Sequence, residues 1–482
     1  MNYRRVFSII ILLLLLFVFL FRQPSEYGKI DAFVCILSVL IVSSVFLRAQ
    51  QSTEFRGFWI KPSNILLLSL WIVNFQYIID YLIGYKSLND FYIPGIVIRS
   101  TYISALGIIS FIITCIPDNT SRIVFDHSED ESGVCNYYNS RSINCTFLII
   151  LQILFFILWI VNVNLGSLLS GLKYGVSGGI ADIFEDLFYQ STISVLVCLT
   201  INAKREGITS FIDYIKQNSV FSWIVILCYL FLRLISGDRG PSIYTFLAVF
   251  FSYVIASKKR IKLVFVVIAL LFGAVIISIV GMARNNVESG SFKDRISIAY
   301  SNYTTSENAR FSDRTIINST EELATSLRCN LIAVNEVENC SAPLHYGRYQ
   351  LYRLLSCIPF MPSFLTKRGL SPSEFSSDYY LTNIYFGDFY ISGQIGTTCI
   401  ADFFLDFGVL GVILGMLILG LVFNRVDRAV CISELLSPII VIITILFACQ
   451  SYYIPRSTVI SQMKPFIPVC VFYYLNYLLT KR

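Results

Sequence analysis

The sequence predicts an all-α protein that crosses a membrane many times. Of the 482 residues, 55% are hydrophobic and 14% are charged, whereas soluble domains carry roughly 25% charged residues. Apolar runs long enough to span hydrocarbon recur from end to end, and the mean hydropathy is +0.68. Inside hydrocarbon the backbone must satisfy its own hydrogen bonds, and these runs lack the alternation typical of a membrane β-barrel, so we expect helices.

The first apolar run has the basic start of a signal peptide, since Arg4 and Arg5 precede it. Residues 22–26 contain no small-residue cleavage site, so we predict a retained span. Twelve spans are predicted in all: Val6–Phe21, Ala32–Leu47, Ile65–Ile83, Gly95–Ile116, Phe147–Val163, Leu187–Ile201, Val220–Ile235, Ile243–Ala256, Leu263–Met282, Phe403–Phe423, Ile439–Ala448 and Phe466–Leu479.

The distribution of Lys and Arg predicts the orientation, because short loops rich in these residues stay in the cytoplasm. The densest basic cluster, residues 258–262, lies between the eighth and ninth spans. Placing it in the cytoplasm puts both termini there as well. The predicted organisation is nine spans in residues 1–282, a large external loop in residues 283–397 and three spans in residues 398–482.

The large loop contains one segment with the pattern of an amphipathic helix, Tyr349–Leu365. Its apolar residues recur at helical spacing among charged and polar ones. We expect it to lie on the membrane surface, in contact with lipid.

Two structural contacts are candidates on the external side. In an oxidising compartment Cys329 and Cys340 could form a disulfide, and otherwise they remain free thiols. Asp80 and Arg99, near the external ends of the third and fourth spans, could form an ion pair.

A glycine-rich hairpin between the seventh and eighth spans carries the first candidate site. Asp238 and Arg239 lie at its tip, and Arg233 lies about one turn inside the apolar segment. One interpretation is a snorkelling arginine beside a solvated turn. The other is an anion site, because guanidinium groups bind phosphate oxygens in pairs. Arg284, where the ninth span ends, is either a helix-end marker or part of the same site.

Further cations and aromatic rings follow on the external side. Guanidinium groups suit a diphosphate and rings suit the faces of sugars, although a solvated loop surface explains many of these charges equally well. The candidates for substrate binding are Arg348, Arg353, His345, Tyr349, Tyr352 and Tyr453, with Arg456 as a catalytic candidate and Arg310, Arg314 and Arg328 as other loop arginines.

Two carboxylates, Asp402 and Asp406, are spaced to lie on one helical face at the external mouth of the tenth span. Acidic residues are favoured in the first turn of any helix. Alternatively, one of them is the general base for an acceptor hydroxyl. The following glycines, among them Gly411 and Gly415, are expected to allow close helix packing.

The sequence also lacks several kinds of site. It has no phosphate-binding Walker loop and only two histidines, His127 and His345. We therefore expect no metal, no cofactor and no nucleic-acid partner. The substrate should arrive already activated, on the external side and in lipid.

These features together resemble the Wzy-type O-antigen and oligosaccharide repeat-unit polymerases. The resemblance is carried by the twelve spans, the hairpin Gly237–Pro241, the large external loop after Arg284 and the glycine-rich run Gly396–Gly415. The loop lacks one pattern of some O-antigen polymerases, an arginine followed after ten residues by a glycine, which leaves the role of each loop arginine open.

The resemblance implies a glycosyltransferase with a GT-C-like fold in the bacterial inner membrane. Such an enzyme passes a growing glycan from undecaprenyl diphosphate to a new lipid-linked repeat unit on the periplasmic side, without a metal. It implies that Arg239, Arg284 and Arg456 stabilise the leaving diphosphate. The expected partners are the lipid-linked donor and acceptor, membrane lipids and a chain-length regulator.

Two other functions remain open at this point. A flippase or transporter of lipid-linked oligosaccharide would share the many spans, but such proteins have short loops and internal repeats. An O-antigen ligase would use a loop histidine such as His345, but the glycine spacing of ligases is absent.

Overall fold

The computed structural model describes residues 3–22, 27–53, 55–117, 143–169, 179–236, 239–260, 320–358, 361–387, 395–432 and 437–480. Within these ranges the chain forms helices, turns and irregular segments, with no β-strand. Short 3₁₀ turns lie at Leu88–Asp90, Pro94–Ile96, Ile454–Arg456 and Ile460–Met463.

The α-helices are numbered here in chain order. They are α1 Tyr3–Phe21, α2 Lys29–Gln51, α3 Pro62–Leu82, α4 Val97–Cys115, α5 Thr146–Asn162, α6 Leu165–Leu169, α7 Ile180–Arg205, α8 Phe211–Lys216, α9 Val220–Ile235, α10 Arg239–Ser257, α11 Glu321–Ala324, α12 Leu327–Glu338, α13 Arg348–Leu355, α14 Met361–Lys367, α15 Pro372–Phe375, α16 Ser377–Phe386, α17 Cys399–Cys431, α18 Pro438–Gln450 and α19 Phe466–Thr480.

Every predicted span that falls in the described ranges coincides with a helix. The ninth, Leu263–Met282, lies outside the described residues, as does Arg284. Helices α1 to α4, α7, α10 and α17 are long and apolar enough to cross a membrane, and α5, α9 and α18 are shorter apolar helices. The chain is an all-α polytopic membrane protein, as predicted.

Helix α4 lies at the centre of the bundle, where nearly all its residues are buried. Helix α17 packs along it at glycines. A Cβ atom on Gly107 would lie 2.8 Å from Val412 Cγ1, and one on Gly420 would lie 2.3 Å from the Phe111 carbonyl oxygen. These positions need glycine because the two helices approach so closely.

Helix α17 breaks at Phe407 and Gly408, whose φ angles are −138° and +62°. A left-handed φ is the conformation that glycine adopts without strain. A Cβ atom on Gly411 would lie 2.5 Å from the Phe403 carbonyl oxygen, and one on Gly415 would lie 2.7 Å from the Phe403 ring. The predicted close packing at these glycines is thus between the two arms of α17, and the predicted tenth span, Phe403–Phe423, contains the break.

The break joins the span to the predicted loop. It frees two carbonyl groups from the helix, and the backbone N–H groups of His345 and Tyr346 donate to Leu405 O and Asp406 O at 3.0 and 2.8 Å. The segment before α13 is therefore fixed to α17 by main-chain hydrogen bonds.

Helix α12, inside the predicted loop, is buried against α3, α4 and α17. Asn330 donates to Asn74 Oδ1 at 2.7 Å, and the Thr398 hydroxyl donates to Asn330 Oδ1. Thr398 also caps α17 by accepting from the Ala401 N–H at 2.9 Å. This buried polar network holds the loop helix among the spans.

The structure decides two open points near α12. Of the two alternatives for Cys329 and Cys340 it has the free thiols, with Cys329 buried on α12 and Cys340 exposed beyond its end. Arg99 pairs with Glu338 at 2.9 Å rather than with Asp80. Arg99 therefore ties α4 to the end of α12.

The predicted amphipathic helix is divided in the structure. Helix α13 ends at Leu355, and α14 begins at Met361. Leu351, Leu354 and Phe364 leave their apolar side chains exposed. Exposed apolar side chains on short helices suit the membrane-surface position that the sequence predicts.

Candidate anion site at the loop face

The loop face is the end of the bundle formed by the first arm of α17, α13, α16 and segment 451–465. Asp406 lies at its centre and is fully buried. The backbone N–H groups of Tyr349 and Gln350 donate to its two carboxylate oxygens at 3.2 and 3.1 Å. Asp406 therefore caps the first turn of α13, where a negative charge also favours the helix dipole.

Asp402 makes the second link of this kind. It is 1% exposed and accepts from the Ser377 hydroxyl and from Gln350 Nε2, both at 2.6 Å. Because the donors come from α16 and α13, Asp402 fixes both helices to α17. These contacts favour a structural role for Asp402 and Asp406, while a general-base role for either stays a prediction.

An aromatic group lies beside these carboxylates. The His345 ring centroid is 4.4 Å from that of Tyr349 and 5.4 Å from that of Tyr380. Burial, with the Arg348 guanidinium adding to it, lowers the pKa of His345 below its ordinary value. The imidazole is therefore neutral near pH 7.

The candidate sugar-binding residues differ in how far their side chains are exposed to solvent. Tyr349 is fully buried, and its hydroxyl donates to Ser373 O at 3.3 Å, so it contributes to packing. Tyr352 is partly exposed, and the Arg348 guanidinium carbon lies 5.5 Å from its ring centroid. Arg348 also pairs with Glu374 at 3.2 Å, with both side chains about half exposed.

Arg353 forms the most enclosed ion pair of the loop face, with Asp378 on the first turn of α16. The two side chains are 11% and 21% exposed, and the Ser376 hydroxyl donates to the same carboxylate oxygen. Arg353 Nε is buried and has no hydrogen-bond partner among the described residues. The guanidinium therefore keeps a donor for a further acceptor.

Lys464 approaches this pair from the segment before α19. The Cys357 thiol contacts the Ile460 carbonyl oxygen at 3.7 Å, which brings that segment against the end of α13. Although Lys464 keeps an exposed surface, desolvation of its amine lowers its pKa, and Arg353 adds to this effect while Asp378 opposes it. Lys464 thus lies within electrostatic range of both partners.

Arg328 lies on α12 and Arg456 in segment 451–465. The Arg328 guanidinium lies 5.1 Å from the Tyr385 ring of α16, and its Nε is buried without a hydrogen-bond partner in the described ranges. The neighbouring Cys329 thiol contacts Gly396 O at 3.6 Å, and a Cβ atom on Gly396 would lie 4.0 Å from Arg456 O.

The pKa of the Cys329 thiol responds to the same charged groups. Burial raises its pKa to about 12, while the Arg328 and Arg456 guanidinium groups act in the opposite direction and Asp378 acts with burial. Arg456 lies over the Tyr453 ring, 5.6 Å from its centroid. We call Arg328, Arg353, Arg456 and Lys464 the basic cluster, with Asp378 as its carboxylate from α16.

The predicted hairpin lies beside this cluster. The Tyr452 hydroxyl donates to Gly240 O at 3.2 Å, and Gly240 follows Arg239 at the start of α10. The start of α10 therefore lies against the segment that contains Arg456. Asp238 lies outside the described residues.

Arg233 is separate from the cluster. Its guanidinium, 5% exposed, pairs with Glu185 and lies 5.3 Å from the Trp159 ring. The Tyr229 hydroxyl donates to the same carboxylate at 2.7 Å. This buried pair favours a structural role for Arg233 over anion binding.

Sequence reasoning overlooked Lys464 and Asp378 and did not distinguish Arg328 from the other loop arginines. A signal for Lys464 existed, because it is one of few basic residues in the short external segments. The sequence contained no signal for Asp378, because only its ion pair with Arg353, 25 positions away in the chain, distinguishes it from other loop carboxylates. Among the described residues, no group of three or more His, Cys, Asp or Glu side chains is placed to hold a metal ion.

Comparison with known protein families gives a match over the chain. The sequence model of the O-antigen polysaccharide polymerase Wzy family matches residues 3–482, essentially the whole chain. Neither the curated proteins nor the solved structures contain a match to this chain.

Proposed function

The chain belongs to the O-antigen polysaccharide polymerase Wzy family, and on that premise we propose that it elongates a glycan carried on undecaprenyl diphosphate. The growing glycan is transferred as a block to a new lipid-linked repeat unit on the periplasmic side of the bacterial inner membrane. Both termini then lie in the cytoplasm, and the loop face is periplasmic. The enzyme belongs with the GT-C-like glycosyltransferases, and a chain-length regulator is its expected partner.

The observation that carries this proposal is the basic cluster beside the predicted hairpin. When the glycosidic bond to the diphosphate breaks, negative charge develops on the leaving group. Fixed cations in a desolvated site stabilise such charge without reorganising at the moment of reaction. We propose that Arg456 and Arg353 offset the charge of the diphosphate directly, which makes the transfer independent of a metal.

The remaining residues take positions around this centre. Arg239 opens α10 next to Tyr452, and we propose that it binds the diphosphate together with Arg284. Tyr352 and Tyr453 present rings that suit the faces of sugars, beside Arg348 and Arg456. Asp402 and Asp406 hold α13 and α16 in place.

The test is a lipopolysaccharide or capsule banding gel of a deletion strain complemented with wild type, Arg456→Ala or Arg239→Ala. We expect a single-repeat band in the deletion, a full ladder with wild type and a single-repeat band with both variants at normal membrane levels. Arg368→Ala is the matched control, because this loop arginine lies 5.1 Å from the Phe364 ring and outside the cluster. It should give a full ladder.

Other outcomes would contradict the proposal at different levels. Normal ladders from both variants would remove the arginine roles. A deletion strain that still makes a full ladder, with no second polymerase, would remove the polymerase function. Loss of every surface repeat would favour a flippase or a ligase instead.

A further inference from the structure

Helix α16 contacts α12, α13, α17 and the segment before α13. Ser377 donates to Asp402 at 2.6 Å, Tyr380 packs against His345, and Tyr385 lies under Arg328. Asp378, in the first turn, pairs with Arg353. A ligand that changes the Asp378 contact would therefore act on the helix that connects the site.

Two ion pairs of the described chain, similar in burial, show what is unusual about Arg353. The Arg99–Glu338 side chains are 16% and 23% exposed, close to the 11% and 21% of Arg353 and Asp378. Arg99 donates from Nε to both oxygens of Glu338 and from Nη1 to Phe19 O and the Tyr27 hydroxyl. Its hydrogen-bonding capacity is largely used.

Arg353 donates to Asp378 from Nη2, and its buried Nε has no acceptor among the described residues. Burying a guanidinium donor without a partner is costly unless an acceptor can reach it. A planar guanidinium binds two oxygens of one phosphate in parallel. In Arg353, Nε is thus the donor that is open to one phosphate oxygen. The second donor of such a pair, Nη2, is occupied by the Asp378 carboxylate.

The charges nearby favour the same ligand. Arg328, Arg456 and Asp378 all act electrostatically on the Cys329 thiol, and Arg353 and Asp378 both act on the Lys464 amine. Asp378 from α16 pairs with Arg353, and Asp186 from α7 also acts electrostatically on Lys464. A group with two phosphates would add negative charge beside four basic side chains.

We propose that Asp378 is an exchangeable counter-anion, which a diphosphate replaces on Arg353 when it binds the basic cluster. This inference rests on the proposed function for the identity of the ligand. Binding would break the Arg353–Asp378 pair and free the first turn of α16 from α13. Asp378 is a positioning residue, since it holds Arg353 in place and weakens the binding of anions that compete for it.

The test measures binding of inorganic pyrophosphate to the full chain in lipid nanodiscs by calorimetry. We expect Asp378→Asn to bind pyrophosphate about tenfold more tightly than wild type, near the low end of the coupling between close charge pairs. Glu338→Gln, which removes the carboxylate of the matched pair, should leave the affinity unchanged. Arg353→Gln should weaken binding. Unchanged or weaker binding by Asp378→Asn would overturn the proposal.

A second measurement on the wild type covers the case in which the variant does not fold. Saturating pyrophosphate should accelerate backbone hydrogen exchange in the first turn of α16, and an unchanged exchange rate there would also overturn the exchange mechanism. Titration with farnesyl diphosphate separates a lipid-borne diphosphate, which should bind more tightly than pyrophosphate, from a free one, which should not.

The two proposals fail separately. If the deletion strain keeps its ladder while Asp378→Asn binds pyrophosphate more tightly, the polymerase function is wrong and the counter-anion stands. If the deletion strain loses its ladder and Asp378→Asn shows no gain in affinity, the polymerase stands and the counter-anion is wrong.

Discussion

Replacing Asp406 with asparagine should release the first turn of α13 without unfolding the protein. In wild type the two carboxylate oxygens each accept one backbone N–H, from Tyr349 and from Gln350. An asparagine carbonyl can keep one of these bonds, while its NH₂ group cannot accept the other. Because α13 has 8 residues, it is too short to be stable alone, so its order depends on such contacts.

The magnitude follows from one lost hydrogen bond to a charged acceptor, which contributes about 1.5–3 kcal/mol. Since each 1.4 kcal/mol is about a factor of ten in an equilibrium constant, local opening should become about 10- to 150-fold more frequent. Hydrogen exchange followed by mass spectrometry, on peptides covering residues 345–358, measures this directly. Exchange elsewhere in the bundle should be unchanged.

The control is Asp213→Asn, since Asp213 is exposed and pairs with Lys216 at 3.6 Å. It should leave exchange in α13 at the wild-type rate. If Asp406→Asn also leaves that rate unchanged in an intact protein, the carboxylate does not hold α13, and the interpretation of Asp406 as its cap is wrong.

Three further predictions concern stability, measured as the unfolding temperature of the purified chain. Gly347→Ala should lower the unfolding temperature more than Gly369→Ala. Both glycines have left-handed φ angles, of +83° and +87°, but only at Gly347 would a Cβ atom meet a side chain, 2.7 Å from Phe407 Cζ. Equal decreases in unfolding temperature would show that the Phe407 ring moves aside. Asn330→Ala should cost about 1–3 kcal/mol for each buried partner left without a hydrogen bond, whereas Asn339→Ala, at the exposed C-terminal end of the same helix, should cost little. Similar effects of the two changes would mean that the buried network does not hold α12. Burial and Arg348 lower the pKa of His345 from 6.5. As the pH falls, the imidazole is therefore protonated in the unfolded chain before it is in the folded one, and stability decreases below about pH 6.5. His345→Gln should make this decrease less steep, and an unchanged slope would mean that other groups cause it.

The spans could be predicted because hydrophobicity is a local property of the sequence. Val220–Ile235 was predicted with the bounds that α9 has, and the other described spans differ at their ends. The break in α17 could not be predicted in this way. Gly408 is one of several glycines in an apolar run, and its left-handed φ depends on Phe403 packing against the second arm.

The candidate site was predicted in its residue types more than in its contacts. Arg353 and Arg456 were expected at an anion site; in the structure Arg353 pairs with Asp378, and Arg456 and Asp378 both act electrostatically on the Cys329 thiol. Arg233 was a candidate for the same site, but Glu185 lies beside it. The two are 48 positions apart in the sequence, so spacing alone gave no reason to pair them.

The order of the basic-cluster residues along the chain matters while the protein is being synthesised. Arg353 leaves the ribosome more than a hundred residues before Lys464, and Arg328 earlier still; at 5–20 residues per second the delays lie between roughly 6 and 27 s. During that interval the earlier arginines lack both Arg456 and the contact of Cys357 with Ile460. If the basic cluster binds a diphosphate as proposed, that site is complete only when the last segment before α19 has been made.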